Sequence, residues 1–242
     1  MYAIQIKDLC KKYGQIIAVD NLTLEIRQGE IFSLLGINGA GKTTLIKMLS
    51  CITKPTSGDA IILGSSVKNS SEKIKEYIGV SPQQSAIAPS LTVNENLKLI
   101  AGIHGYSKEE QKKKVKEISE RFGLQEIMDR RASQLSGGWQ RRLSIAMALI
   151  NNPKILFLDE PTLGLDVIAR SELWSVIRSL KGRSTVILTT HYMEEAEALS
   201  DRIAIMKNGK LLLCDTSEKI KELAGTDSFE EAFVRIVKGG VQ

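Results

Sequence analysis

Over the first 35 residues the chain alternates between apolar and polar positions. Leu22, Leu24 and Ile26 keep a period of two, and Ile4, Ile6 and Leu9 stand among polar neighbours, so this stretch predicts strands. A short apolar run, Ile31–Leu35, ends in a glycine-rich turn, and Lys42–Cys51 follows with helical character. Ile61–Leu63 and Ile78–Val80 predict further strands. From about Thr92 to Arg131 the pattern changes. Val115, Ile118 and Phe122 fall at i, i+3 and i+7 and form one apolar stripe, while Lys108–Arg121 holds six Lys/Arg and four Asp/Glu. A helical insertion with a solvated charged face is expected here. From Ser136 a helix to Ile150 is followed by strand Ile155–Leu158, helix Ala169–Leu180, strand Thr185–Leu188, helix Met193–Leu199 and strand Ile203–Met206. This alternation argues an α/β core with a largely parallel sheet. Asn208-Gly209, before Leu211–Leu213, marks a hairpin turn. The tail, Glu218–Val237, predicts two short helices broken near Gly225.

Composition narrows the class. The 242 residues suffice to bury a core without staples, and 43% hydrophobic with 25% charged residues is ordinary globular composition. The net charge of +5 is spread along the chain, so no nucleic-acid partner is expected. No stretch approaches the ~18 to 20 apolar residues of a membrane span, and the first residues lack the apolar core of a signal peptide. Cys10, Cys51 and Cys214 are odd in number and form no C-x-x-C, which suggests reduced thiols in the cytosol. With only His104 and His191 present, a histidine metal centre is not expected, and any essential histidine is one of these two. His104 reads as a surface residue at a helix end.

The segment Gly36-Ile-Asn-Gly-Ala-Gly-Lys-Thr-Thr44 matches G-x-x-x-x-G-K-[ST] between a predicted strand and a predicted helix. Gly36, Asn38, Gly39, Ala40, Gly41 and Thr44 belong to a loop whose backbone N–H groups can converge on phosphate oxygens, helped by the helix N-terminus. Lys42 would bridge the β- and γ-phosphates, and Thr43 would ligate Mg²⁺. Alone, the motif says nucleotide and leaves kinase, GTPase, helicase and transporter motor open. Ile155-Leu-Phe-Leu-Asp-Glu160 is an apolar strand ending in two carboxylates. Ligands bind at such strand ends in open α/β folds. Asp159 can hold Mg²⁺ there, and Glu160 can polarise the attacking water as general base. Ser136-Gly137-Gly138 opens a helix, with Ser136 as its N-cap, and offers a second anion cradle. A second cradle makes sense when it serves a nucleotide held by another copy.

With these residues in order, the chain resembles the ATP-binding cassette ATPases over essentially its whole length. Leu135-Ser-Gly-Gly138 looks like the family signature, Gln83 in Ser-Pro-Gln like the Q-loop glutamine and Gly164-Leu165-Asp166 like the D-loop. His191 looks like the switch histidine, and Tyr13 in Lys-Lys-Tyr-Gly like the aromatic that stacks on adenine. The resemblance implies a P-loop NTPase core with a mostly parallel sheet, an N-terminal antiparallel β-subdomain and an inserted helical subdomain. On this basis residues 1–91 and 153–215 form the ATP-binding core, about 92–152 the helical subdomain and 216–242 a helical tail. It implies ATP and Mg²⁺ as ligands, Glu160, His191 and Gln83 as catalytic residues, and Gln83 as a further metal contact. It also implies a head-to-tail dimer in which each site joins one chain's phosphate loop, near Asp166, to the other's Ser136–Gly138. Two positions depart from the family pattern: Trp139 stands where many members have Gln, and Gln84 where an acidic residue is common.

Thr190-His-Tyr-Met-Glu-Glu-Ala-Glu197 and Ser228-Phe-Glu-Glu-Ala-Phe-Val-Arg235 resemble the branch of drug, antibiotic and sodium exporters. That branch implies separate integral membrane permease subunits, with this chain peripheral at the cytoplasmic face of the cell membrane. Their coupling helices would dock around Gln83–Leu97. An importer subunit and a non-transport cassette ATPase acting on nucleic acid or ribosomes are the alternatives. A simple kinase or GTPase leaves Leu135–Gly138 and His191 unexplained.

Overall fold

The computed structural model describes residues 1–239. The chain opens with β1 (Tyr2–Tyr13), β2 (Ile16–Arg27), β3 (Ile31–Leu35) and α1 (Lys42–Leu49). It continues with β4 (Ser57–Ile62), β5 (Ser65–Ser66), α2 (Ser71–Lys75) and β6 (Ile78–Ser81). The helices α3 (Val93–Ile103), α4 (Lys108–Phe122) and α5 (Gly137–Ala148) follow. The last part alternates β7 (Ile155–Asp159), α6 (Val167–Arg178), β8 (Thr185–Thr190), α7 (Met193–Leu199), β9 (Arg202–Lys207) and β10 (Lys210–Asp215). It closes with α8 (Ser217–Ala224) and α9 (Phe229–Lys238); residues 240–242 of the expected tail lie outside the described residues.

Two sheets form. One is antiparallel, in the order β2-β1-β4-β5; the other has six strands in the order β10-β9-β3-β8-β7-β6. In the larger sheet β9, β3, β8, β7 and β6 are mutually parallel, and only β10 runs antiparallel. The hairpin at Asn208-Gly209 supplies that reversal, with Lys207 opposite Lys210. The period of two explains how three apolar clusters share these strands. Ile155 and Phe157 face α1 and the antiparallel sheet, whereas Leu156 and Leu158 face the helices α3 to α6. Leu35, Ile203 and Ile205 meet Ile220, Phe229 and Phe233 of the tail helices. Strands buried on both faces read as nearly unbroken apolar runs, which is why β3 and β7 stand out in the sequence. The stripe Val115, Ile118 and Phe122 is buried as its spacing predicts.

Several boundaries move for identifiable reasons. Helix α6 starts at Val167, not Ala169, because Asp166 Oδ1 accepts the N–H groups of Ile168 and Ala169, both at 2.9 Å. Strand β4 begins at Ser57, ahead of the apolar run, and stops before Leu63, which turns with φ +47° into Gly64. Helix α5 ends at Ala148, and β8 runs on to Thr190 through two threonines that pair with Leu34 and Leu35. The short elements β5 and α2 carry too few apolar residues to be visible as a pattern.

The loop that leads from β6 into α3 is held by Asn96, which is fully buried. Its amide accepts the Ala88 N–H at 2.8 Å and donates to the carbonyls of Ala88, Leu91 and Thr92 at 3.1, 3.3 and 2.9 Å. The same loop pairs with the strip before α5, where Ala132 N donates to Leu91 O and Ser133 N to Pro89 O. Asn96→Ala leaves these backbone groups without a partner, and a loss of about 2–3 kcal/mol is expected. Denaturant unfolding of the purified variant measures it, and a loss below about 0.5 kcal/mol would mean that the loop holds its shape without the amide.

Candidate functional site

The phosphate-loop segment leaves β3 through backbone positions that exclude side chains. A Cβ on Gly36 would collide with the Met206 carbonyl. Gly41, with φ +101°, is the N-cap of α1, and a Cβ there would collide with the Ala18 carbonyl. The loop therefore wraps the start of α1 and borders an open cavity of about 470 Å³. Asn38, Gly39, Ala40, Gly41, Lys42, Thr43 and Thr44 line one wall, with Ile16–Ala18, Gln83 and Glu160 around them. Lys42 is buried, and its Nζ donates to Gly36 O at 2.7 Å and to Ile37 O at 3.3 Å, 3.8 Å from Glu160 Oε1. Burial draws its pKa below the usual lysine value, while Glu160 and Asp159 oppose the shift. Backbone N–H groups, a lysine and an open cavity fit a polyphosphate.

At the end of β7, Asp159 is buried and its Oδ1 accepts hydroxyls from Thr43 at 3.1 Å and Thr189 at 2.6 Å. A carboxylate beside a threonine hydroxyl is a hard-oxygen donor set of the kind Mg²⁺ takes. Glu160 follows in the left-handed region, at φ +48°, which turns its side chain out of the strand and towards the cavity. Its N–H donates to Thr189 Oγ1 at 2.9 Å and to Thr189 O at 3.2 Å. His191 Nδ1 stands 2.9 Å from Glu160 Oε2, close enough for an ion pair but off the line of a hydrogen bond. The sequence-predicted Lys42, Thr43, Asp159, Glu160 and His191 thus converge from three strand ends, and exposed Gln83 lines the same cavity from the loop after β6.

Other predicted residues lie apart from this cluster. Tyr13 is exposed and does not line the cavity; its cross-strand partner Ile16 does, and Lys11 Nζ sits 5.0 Å from the Tyr13 ring centroid. Ser136 and Gly137 are exposed at the start of α5. Ser136 stands at the N-cap but, contrary to the expectation from sequence, its side chain makes no capping bond, so the hydroxyl is not committed to its own helix. At Gly138 a Cβ would come 3.1 Å from Ala169 Cβ, which ties a small residue there to the seating of α5 near α6. Trp139 packs on the helical cluster under the Arg142 guanidinium, 4.6 Å from its ring centroid, and Gln140 donates to the carbonyls of Ala132 and Leu135, both at 3.2 Å. Asp166 acts locally as the cap of α6. His104 is exposed at the end of α3, as its position suggests.

One residue of the cluster is unmarked in the sequence. Arg141, on α5, is buried, and its guanidinium donates to Pro161 O at 2.9 Å, to Gln83 O at 3.3 Å and to the carbonyls of Pro82 and Asp159. Burial pushes its pKa down to about 10, although Asp159, Glu195 and Glu160 favour the charge. Its only signal in the sequence is one arginine of a pair on a helix with an apolar face, where a solvated side chain is the ordinary outcome.

The ABC transporter family matches residues 19–163, more than half of the chain. A probable multidrug ABC transporter ATP-binding protein of Escherichia coli is 39% identical over 240 residues, covering 97% of this chain and 41% of that protein. The chain thus spans less than half the length of that relative. The doxorubicin resistance ATP-binding protein of Mycobacterium tuberculosis is 40% identical over 240 residues, covering 98% of this chain and 72% of its own length. Among solved structures, an ATP-binding subunit of an ABC transporter superimposes with a TM-score of 0.85 at 27% identity, over 97% of this chain and 99% of that one. A dimeric ATP-binding cassette in a post-hydrolysis state, bound to ADP and Pi, gives 0.79 at 32% identity, over 88% and 98%. Joined to the phosphate loop and the two carboxylates at the strand end, these matches place the chain in the ABC transporter family, as an ATP-binding cassette.

Proposed function

We propose that the chain is the ATP-hydrolysing subunit of a membrane exporter and works as a pair of cassettes. The observation that carries this reading is the presence of two separate anion cradles on one chain. The phosphate loop borders the cavity, whereas Ser136 and Gly137 stand exposed outside it, and among the described residues the Ser136 side chain makes no capping bond. A second copy presenting Ser136–Gly138 to the phosphate loop gives both cradles a use. Exposed apolar side chains beside Asp166, with Leu163 at 42%, Val167 at 77% and Ile168 at 73%, suit a surface covered by that copy.

In this reading the loop amides and Lys42 bind and orient the phosphates of ATP, and Tyr13 closes on the base. Thr43, Asp159 and Gln83 would hold Mg²⁺, which when bound neutralises phosphate charge. Glu160, in reach of the cavity and of His191, takes the proton of the attacking water. His191 positions that carboxylate and donates towards the terminal phosphate. The similarity to drug-resistance cassettes supports export. No helix of the described residues is long and apolar enough to cross a membrane. In this reading the translocation path is formed by separate permease subunits. The chain then works at the cytoplasmic face, with its Gln83–Leu97 region docked on those subunits.

Two variants test the chemistry. Glu160→Gln keeps the shape of the side chain but cannot accept a proton. A fall in kcat of about 10²–10⁴-fold is expected, with ATP affinity retained and an ATP-held dimer in light scattering; a monomer with bound ATP contradicts the paired mechanism. Lys42→Ala removes a charge-assisted contact worth about 1.5–3 kcal/mol, so a Kd for ATP weaker by about 10–100-fold is expected. An unchanged Kd in a calorimetric titration removes Lys42 from the phosphate site.

A further inference from the structure

The contact between Glu160 and His191 lies beyond the sheet. The ladder between β7 and β8 ends with Asp159 opposite Thr189, and β8 stops at Thr190. Both side chains therefore hang on turns, and the ladder alone does not set their 2.9 Å separation. A buried carboxylate bridges those two turns. Glu195, on α7, is fully buried, and its Oε1 accepts the Thr162 hydroxyl at 2.8 Å and the Trp174 Nε1–H at 3.1 Å. Thr162 is itself fully buried and stands two residues after Glu160; Glu195 stands four after His191. Among the described residues Glu195 Oε2 has no hydrogen-bond partner. A carboxylate sealed from water is an expensive way to fill a core.

A second contact runs alongside the first. The Arg170 guanidinium, on α6, lies 4.9 Å from the Tyr192 ring centroid, and that ring is tilted at 40° against the His191 ring with centroids 4.2 Å apart. The turn after Glu160 and the helix that follows it thus hold the His191 segment from two sides. The groups facing Glu195 are Thr162, Trp174, Thr190 and Arg170, and burial raises its pKa above the usual carboxylate value.

From this geometry we propose that Glu195 is a positioning residue: through Thr162 it fixes the distance between the side chains of Glu160 and His191. It is fully buried and does not line the cavity at the phosphate loop. The inference rests on the roles given above to Glu160 and His191, and it identifies what holds them together. A misplacement of about 1 Å in a reacting group costs up to about a hundredfold in rate, so a hydroxyl that sets such a distance is visible in kcat without touching ATP.

The test is a double-mutant cycle on the full chain, read as steady-state ATP hydrolysis at saturating ATP, with ATP affinity and melting temperature measured alongside. Thr162→Val keeps the shape and deletes the hydroxyl. A fall in kcat of about tenfold is expected, with KM for ATP within about twofold and rescue by Thr162→Ser. In a His191→Ala background the same substitution is expected to cost less than about twofold, because the group being positioned is gone. An equal loss in both backgrounds overturns the proposal and leaves Thr162 and Glu195 as packing. A His191→Ala chain as fast as the parent overturns the role of His191 itself, a failure of the parent reading that the cycle separates from the first. Should Thr162→Val fail to fold, Glu195→Leu, which is close in volume and removes the oxygen that accepts the Thr162 hydroxyl, enters the same cycle with the same two criteria.

Discussion

Arg141 carries its charge inside the protein, where water cannot solvate it, and meets main-chain carbonyls in place of water. Removing a guanidinium from water is costly, and carbonyl dipoles from Pro82, Gln83, Asp159 and Pro161 offset the loss. The remaining cost shows as a pKa pushed down to about 10, which still leaves the side chain charged at neutral pH. A planar fork of N–H donors fits this role where a lysine ammonium does not, because the acceptors lie on different segments and need fixed directions. The helix that begins at Ser136 is thereby tied to the end of β7 and to the loop that carries Gln83. Neither segment can shift against α5 without leaving a buried donor or carbonyl unpaired.

The rest of the site follows from strands buried on both faces. Such strands are almost wholly apolar until they emerge, so their polar residues gather at one edge. Asp159 and Glu160 end β7, Thr189 and Thr190 end β8, and the glycine-rich turn ends β3. Parallel pairing of these strands brings all three ends to the same side. Thr189 shows how tight that edge is: its hydroxyl donates to Asp159, and the same oxygen accepts the backbone N–H of Glu160. The left-handed backbone of Glu160 is held by that bond, and it turns the carboxylate towards the phosphate loop.

What was legible in the sequence was local. The phosphate loop could be read because its chemistry needs glycines and a lysine at fixed spacing, and the structure bears out the reason at Gly36 and Gly41, where any Cβ collides. The apolar strands and the stripe of α4 were visible because their periods survive in the sequence. Asp166 could have been read as a cap, which would have placed the start of α6 correctly. Arg141, Thr162 and Glu195 were not legible as partners, because each looks like an ordinary polar residue and its meaning comes from contacts across 18 to 59 residues of chain. Ser136 reads as a cap by its type, and only the fold shows that its hydroxyl makes no capping bond.

That last difference bears on why the chain offers its phosphate contacts at two distances. Lys42 is satisfied within its own loop by the carbonyls of Gly36 and Ile37, and it is held near Glu160. Its direction is set before any ligand arrives, and little entropy remains to be lost on binding. Ser136 is the opposite case. Ser136 and Gly137 are exposed, and the Ser136 side chain makes no capping bond. Helix N-termini left open in this way favour an anion. Ser136 does not line the cavity at the phosphate loop of its own chain, so in the paired reading its anion is held by another molecule. In the paired reading that molecule is the nucleotide of a second cassette, and Arg141 then acquires a further consequence. The segment that carries Gln83, beside one nucleotide, is bonded to the helix that presents Ser136 to the other. A shift at either site must strain four carbonyl contacts to one guanidinium unless the helix moves with it.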